Sequence, residues 1–110
     1  FVLCSKTAPG GDCEGTPTVL VEAQAAGLPV VSTQHAGIPE MIPKENHRFL
    51  APEGAPGEVA QRILTLCRSS EADLAQITQA GRAKVERSYN IAHETKRIVR
   101  LYQDVCLNHA

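Results

Sequence analysis

Two carboxylates with seven residues between them, in Glu14-Gly15-Thr16-Pro17-Thr18-Val19-Leu20-Val21-Glu22, offer this chain's clearest opportunity for chemistry. They bracket an expected helix start. Thr16 can cap, and Pro17 suits the first helical position because its missing N–H would be unpaired there anyway. Glu14 then stands just before the helix and Glu22 about a turn and a half inside it, at ~1.5 Å of rise per residue. First-turn amides and the helix dipole favour an anion such as a phosphate. Carboxylates accept hydrogen bonds strongly, and each can take a pair of vicinal sugar hydroxyls. Two carboxylates would repel a bare phosphate, so they fit the neutral, hydroxyl-rich ends of a ligand whose middle is anionic. A nucleotide diphosphate sugar has that shape.

The bland alternative makes Glu14 a loop charge favourable to the dipole and Glu22 a solvated helix residue. Against it stands the rest of helix 17–27, where Val19, Leu20, Val21, Ala23, Ala25 and Ala26 are apolar on every side. A carboxylate buried in such company requires a partner or a ligand. Gly37 and Glu40 are secondary candidates. Gly37 has an equally simple explanation as a turn glycine used for its backbone angles, and Glu40 can complement the dipole of a short helix.

Elements that position these residues follow from the patterning. Strands are expected at Phe1 to Ser5, Pro29 to Thr33 and near Arg48 to Ala51. The loop Lys6 to Gly15 and the helix from Pro17, closed by Gly27, join the first two. Strand and helix alternation predicts an α/β fold, a Rossmann-like parallel sheet flanked by helices, with a helical C-terminal tail. In such sheets ligands bind beyond the carboxyl ends of the strands, where the loops 6–15 and 34–40 both lie. Pro39 opens a short turn through Ile42. A helix from about Glu58 carries Val59, Ile63, Leu66 and Cys67 on one face. Ser70-Glu71-Ala72-Asp73 opens a helix with inward Leu74, Ile77, Gly81 and Val85. Asn90 caps a last helix over 90–110, where Ile98, Leu101, Tyr102 and Val105 form a packing face, with Lys96, Arg97 and Arg100 on a solvated one.

At 110 residues the chain makes one domain, 1–110. It opens on Phe1-Val2-Leu3-Cys4, a strand already under way, and a longer polypeptide is expected around it. Its net charge of −1, from 11 basic and 12 acidic residues, leaves no footprint for nucleic acid, and membrane contact is not indicated. Cys4, Cys13, Cys67 and Cys106 form no C-x-x-C pair. Three sit in apolar contexts, so the expectation is reduced, small-hydrophobe cysteines in a cytoplasmic protein. His35, His47, His93 and His109 are scattered, and no metal site is expected. No G-x-G-x-x-G follows a strand and Gly10 to Gly15 lacks the Walker lysine, so NAD and ATP are disfavoured.

In order along the chain, Glu14-Gly15-Thr16-Pro17, then Glu22-Ala23-Gln24-Ala25-Ala26-Gly27-Leu28-Pro29-Val30-Val31-Ser32-Thr33, then Gly37-Ile38-Pro39-Glu40 resemble the donor-binding core of family 4 glycosyltransferases. These are retaining enzymes with two Rossmann-like lobes in the GT-B arrangement. Ser5-Lys6-Thr7-Ala8 with Gly11-Asp12-Cys13-Glu14-Gly15 further resembles bacterial members that build capsular polysaccharides and exopolysaccharides of the colanic-acid type. The likeness is detailed from Ser5 to about Leu50 and looser in the helical tail.

The resemblance implies a partial, nucleotide-sugar-binding C-terminal lobe. Glu22 would bind the ribose hydroxyls. Glu14, the candidate catalytic group, would face the donor sugar hydroxyls, although nothing makes it a nucleophile. The backbone of Gly15, Thr16, Pro17, Thr18 and Val19 would cradle the diphosphate, with Pro17 itself offering no N–H. The family's basic pair would precede Phe1; Lys6 can assist but does not match it. The implied reaction moves a hexosyl group from a UDP or GDP sugar to a glycan or lipid-linked acceptor, with no cofactor or metal. It would occur in the cytoplasm, at the inner face of the membrane in the full-length protein. The acceptor lobe would lie outside these residues, so the isolated chain is expected to be inactive. Competing readings are a non-catalytic nucleotide-sugar or phosphate-binding module, and a lobe of a related epimerase or sugar-phosphate synthase.

Overall fold

A computed structural model describes residues 1–13 and 15–109. Its centre is a three-stranded parallel sheet of β1 (Val2–Leu3), β2 (Val31–Thr33) and β3 (Leu50–Ala51), in the order β1-β2-β3. Val2 pairs with Val31 and Leu3 with Ser32; Ser32 pairs with Leu50 and Thr33 with Ala51. All three β2 residues are buried, as a central parallel strand covered on both faces requires. The strands are shorter than the sequence pattern implied, but each lies within its expected segment.

Alternation along the strands sends neighbouring residues into two cores. Val30 and Leu50 join Leu20 and Ala23 of α1 (Thr18–Ala25), together with Ile38 and Met41 of α2 (Ile38–Met41) and Ile42. Val31 and Phe49 turn the other way, onto Ile77 of α4 (Glu71–Ser88) and onto Val59, Ile63 and Leu66 of α3 (Pro56–Cys67). Between α2 and β3 a 3₁₀ segment, Lys44–Phe49, delivers Phe49 to that core. It has no strong sequence signal.

Local capping explains where the helices stop and start. After α1, Leu28 N–H donates to the Ala23 carbonyl and Gly27 N–H to that of Gln24, with Gly27 at φ +76°. This is the left-handed glycine closure expected at Gly27. Ser70 Oγ accepts from Asp73 N–H at the start of α4. Asn90 accepts from Ala92 and His93 N–H at the start of α5 (Ile91–Asn108).

Several expectations need correction. Helix α1 starts at Thr18 with Pro17 as its cap residue, one position later than expected, and no side chain, Thr16 included, caps it. Proline can terminate the helix there because it needs no partner for an N–H. Helix α3 starts at Pro56, two residues before Glu58. All four cysteines are free and exposed, so none serves as a core hydrophobe, and Cys67 falls on the solvent side of α3. The Ile98, Leu101, Tyr102 and Val105 face of α5 is not a buried packing face among the described residues: these side chains are 50%, 57%, 71% and 58% exposed.

Candidate functional site at the carboxyl edge of the sheet

Side chains of β2 steer the chain as it leaves β1. Ser32 Oγ donates to the Leu3 carbonyl at 2.6 Å, and Thr33 Oγ1 donates to the Ser5 carbonyl at 2.6 Å. The Ser32 hydroxyl reinforces the last β1–β2 ladder pair and the Thr33 hydroxyl extends the pairing to Ser5, so the chain leaves β1 in a set direction. A turn from Ala8 to Asp12 folds it back, with Ala8 N–H on the Asp12 carbonyl at 2.8 Å and Gly11 at φ +81°.

That loop then meets the loop after β2. Gly37 N–H donates to the Gly15 carbonyl at 3.3 Å, and a Cβ placed on Gly37 would lie 2.8 Å from the same oxygen. Gly37 has φ −80°. Close backbone approach, rather than an unusual backbone angle, is what demands glycine here. Ala36 beside it takes φ +44°, a conformation uncommon without glycine.

The start of α1 is suited to an anion. No side chain caps it, its first turn holds no acidic residue, and Leu20 N–H turns back onto the Pro17 carbonyl at 3.1 Å. Thr18 and Val19 then have no carbonyl one helical turn behind them within the helix. Gly15, Thr16, Thr18 and Val19 are exposed and Pro17 is buried. Glu22 is exposed on α1, so burial does not compel it to have a partner. Glu14 lies outside the described residues.

Glu40 N–H donates to the Gly37 carbonyl at 3.2 Å, whereas Lys6 and Glu40 line different cavities. Lys6 lines a cavity of about 210 Å³ with Cys4, Ser5, Thr33 and the Gly54–Pro56 start of α3. Glu40 lines a groove of about 520 Å³ with Lys44, Lys84 and Arg87. Burial, and then the Glu40 charge, raise the Tyr89 hydroxyl above the usual phenol value. Of the residues singled out in the sequence, Gly15 and Gly37 are brought into direct contact across two different loops.

Sequence reasoning passed over a cluster at the same edge. Glu53, in the loop after β3, accepts from Thr7 N–H at 2.8 Å and Thr7 Oγ1 at 3.2 Å, and its Oε1 lies 2.6 Å from His35 Nδ1. The Thr7 N–H, and then the His35 hydrogen bond, hold the Glu53 carboxyl below its ordinary value. An ionised carboxylate can only accept, so Nδ1 carries the hydrogen. His35 is 1% exposed and its Nε2 has no hydrogen-bond partner among the described residues. The signal available in the sequence was a polar residue in each of three loops at one sheet edge. It was obscured because Pro52-Glu53-Gly54 reads as a turn and the histidines read as scattered.

Among the described residues no group of three or more His, Cys, Asp or Glu could hold a metal ion. No helix among them is long and apolar enough to cross a membrane.

The family described as Glycosyl transferases group 1 matches residues 1–69. The amylovoran biosynthesis glycosyltransferase AmsK of Erwinia amylovora is 49% identical over 90 residues, covering 82% of this chain and 22% of that protein. The putative colanic acid biosynthesis glycosyltransferase WcaL of Escherichia coli is 41% identical over the same extent of each chain. A GDP-mannose-dependent mannosyltransferase of Corynebacterium glutamicum, acting on a monoacylated phosphatidylinositol monomannoside, is 30% identical over 94% of this chain and 27% of its own length. The chain thus spans roughly a quarter or less of these relatives.

Proposed function

Since the chain belongs to the group 1 glycosyl transferase family, we propose that it forms the donor-binding part of a glycosyltransferase that assembles a polysaccharide. The enzyme moves a sugar from a UDP or GDP sugar to a glycan or lipid-linked acceptor, in the cytoplasm and at the inner face of the membrane. The observation that carries this reading is the pinned pair of loops at the start of α1. Gly37 holds Gly15 against the sheet edge beside a helix start that neither side-chain cap nor first-turn acid neutralises.

In this reading the amides around Gly15 to Val19 take the diphosphate. Glu22, exposed on α1, accepts the ribose hydroxyls, and Glu14 faces the donor sugar. When the bond from the anomeric carbon to the diphosphate breaks, its electrons pass to the leaving oxygen. Amide donors already aimed at that position stabilise the charge as it develops. A bond forms from the acceptor hydroxyl oxygen to the anomeric carbon, with configuration retained, and the hydroxyl proton leaves for base or solvent. The reaction calls for no metal or other cofactor. The likeness to amylovoran and colanic acid enzymes supports a polysaccharide product.

Binding of UDP, GDP and their sugar conjugates, measured on wild type and on Glu22→Ala, tests the reading. One nucleotide series binding to wild type and at least tenfold more weakly to the folded variant is expected, since a lost charged hydrogen bond exceeds about 1.4 kcal/mol. Equal binding by both would remove Glu22 from the site. Binding of neither series would overturn the reading.

A further inference from the structure

The Thr7–Glu53–His35 cluster joins the three loops that follow the three strands. Glu53 is 31% exposed while His35 is 1% exposed, so a partly solvent-facing carboxylate is paired with a buried ring. It takes both the backbone and the hydroxyl donor of Thr7, which fixes the loop's main chain as well as a side chain. Among the described residues it is also the partner that sets the rotation of the imidazole, whose second nitrogen is unpaired. Two residues beyond His35 is Gly37, which meets Gly15.

We propose that Glu53 is a positioning residue for the sugar donor: it clasps the β1–α1 loop through Thr7 and the β2–α2 loop through His35, and so holds Gly15 in register with Gly37. The inference rests on the donor-site reading above, because it assigns the clasp to that ligand. Glu53 touches no reacting atom in this account. Its effect reaches the donor through the loop it restrains.

The same side chain is poorly replaced by an amide. Glutamine at position 53 would retain one acceptor oxygen and present an N–H₂ to a donor from Thr7 or His35. Losing a charge-assisted hydrogen bond of this kind corresponds to about a tenfold change in an equilibrium.

Glu53→Gln and Thr7→Val should be compared with wild type in donor binding and amide hydrogen exchange and, in the full-length enzyme, in the KM for donor against that for acceptor. Expected for Glu53→Gln are about a tenfold rise in donor Kd and donor KM, an unchanged acceptor KM, and faster exchange across residues 6–13. The core of α4 should exchange as in wild type. Thr7→Val should weaken donor binding by a smaller factor in the wild-type background and add nothing in Glu53→Gln. Unchanged loop exchange and unchanged donor affinity in both variants would overturn the clasp. If Glu53→Gln does not fold, Thr7→Val decides alone, and wild-type loop exchange and affinity in it would overturn the proposal. A wild type that binds no nucleotide sugar overturns the donor reading instead, and loop exchange then judges the clasp on its own.

Discussion

Helices α4 and α5 are both 18 residues long, both are opened by a side-chain cap, and both carry an apolar stripe, yet they end in opposite surroundings. Helix α4 buries Ile77, Gly81 and Val85. Helix α5 buries nothing, and Tyr102 on its apolar face is 71% exposed. The stripe on α4 meets Val31 of β2 and Phe49 of the 3₁₀ segment, while Gly81 lets Gln24 of α1 approach to 3.2 Å of where a Cβ would stand. Helix α5 continues past that packed body. Periodicity therefore says which face of a helix is apolar, but burial needs a second surface at the right distance.

Matched truncations give the largest contrast. Ile77→Ala should cost about 2–5 kcal/mol in chemical denaturation, since it opens a cavity among Val31, Phe49 and the α3 side chains. Leu101→Ala on α5 should fall within about 0.5 kcal/mol, as surface substitutions do. Comparable losses at both positions would show that α5 is packed in solution and erase the contrast.

A smaller effect is expected at the sheet edge. In Gly37→Ala the new methyl would sit 2.8 Å from the Gly15 carbonyl oxygen, a backbone atom that can yield only if the loop moves. Overpacking of this kind typically costs about 1–3 kcal/mol. Denaturation midpoints should fall and donor affinity should drop with them, while hydrogen exchange in α5 stays at its wild-type rate. A stable variant with faster exchange only in α5 would contradict this division.

The smallest effect is a pH dependence confined to the packed body. The Glu53 carboxyl is held below its ordinary value of 4.5, so its stabilising contribution is fully present above that value and disappears as pH falls through the lower folded value. The stability difference between wild type and Glu53→Gln should accordingly be constant near neutrality and shrink as the solution is acidified below about 4.5. A difference that persists unchanged into strong acid would mean that the Thr7 and His35 contacts do not favour the ionised form. Denaturation of Leu101→Ala relative to wild type should show no such convergence.

Much of this architecture was legible because its signals are short in range. Ser70 with Asp73, Asn90 with Ala92, and Gly27 and Leu28 closing onto Gln24 and Ala23 are all made within five residues, so composition and spacing reveal them. The parallel sheet was legible from strand and helix alternation. The conjunction of Glu14-Gly15-Thr16-Pro17, Glu22 and Gly37-Ile38-Pro39-Glu40 pointed to the family that matches residues 1–69. The surroundings of Glu22 misled because an alanine-rich helix reads as buried all round, whereas α1 turns Glu22 and Ala25 outward.

The alternation of strands and main helices, the caps of α4 and α5, the Gly27 closure and the family motif were determined by sequence alone, since each depends on neighbours along the chain or on residue order. Tertiary structure decided that Glu53 accepts from Thr7, 46 positions away, and pairs with His35, 18 positions away. It also decided that Gly37 must be glycine for want of space, that the cysteines face solvent, and that α5 leaves its apolar stripe open. These are properties of which surfaces come within a few ångströms once the sheet has closed, and no local pattern of residue types encodes that distance.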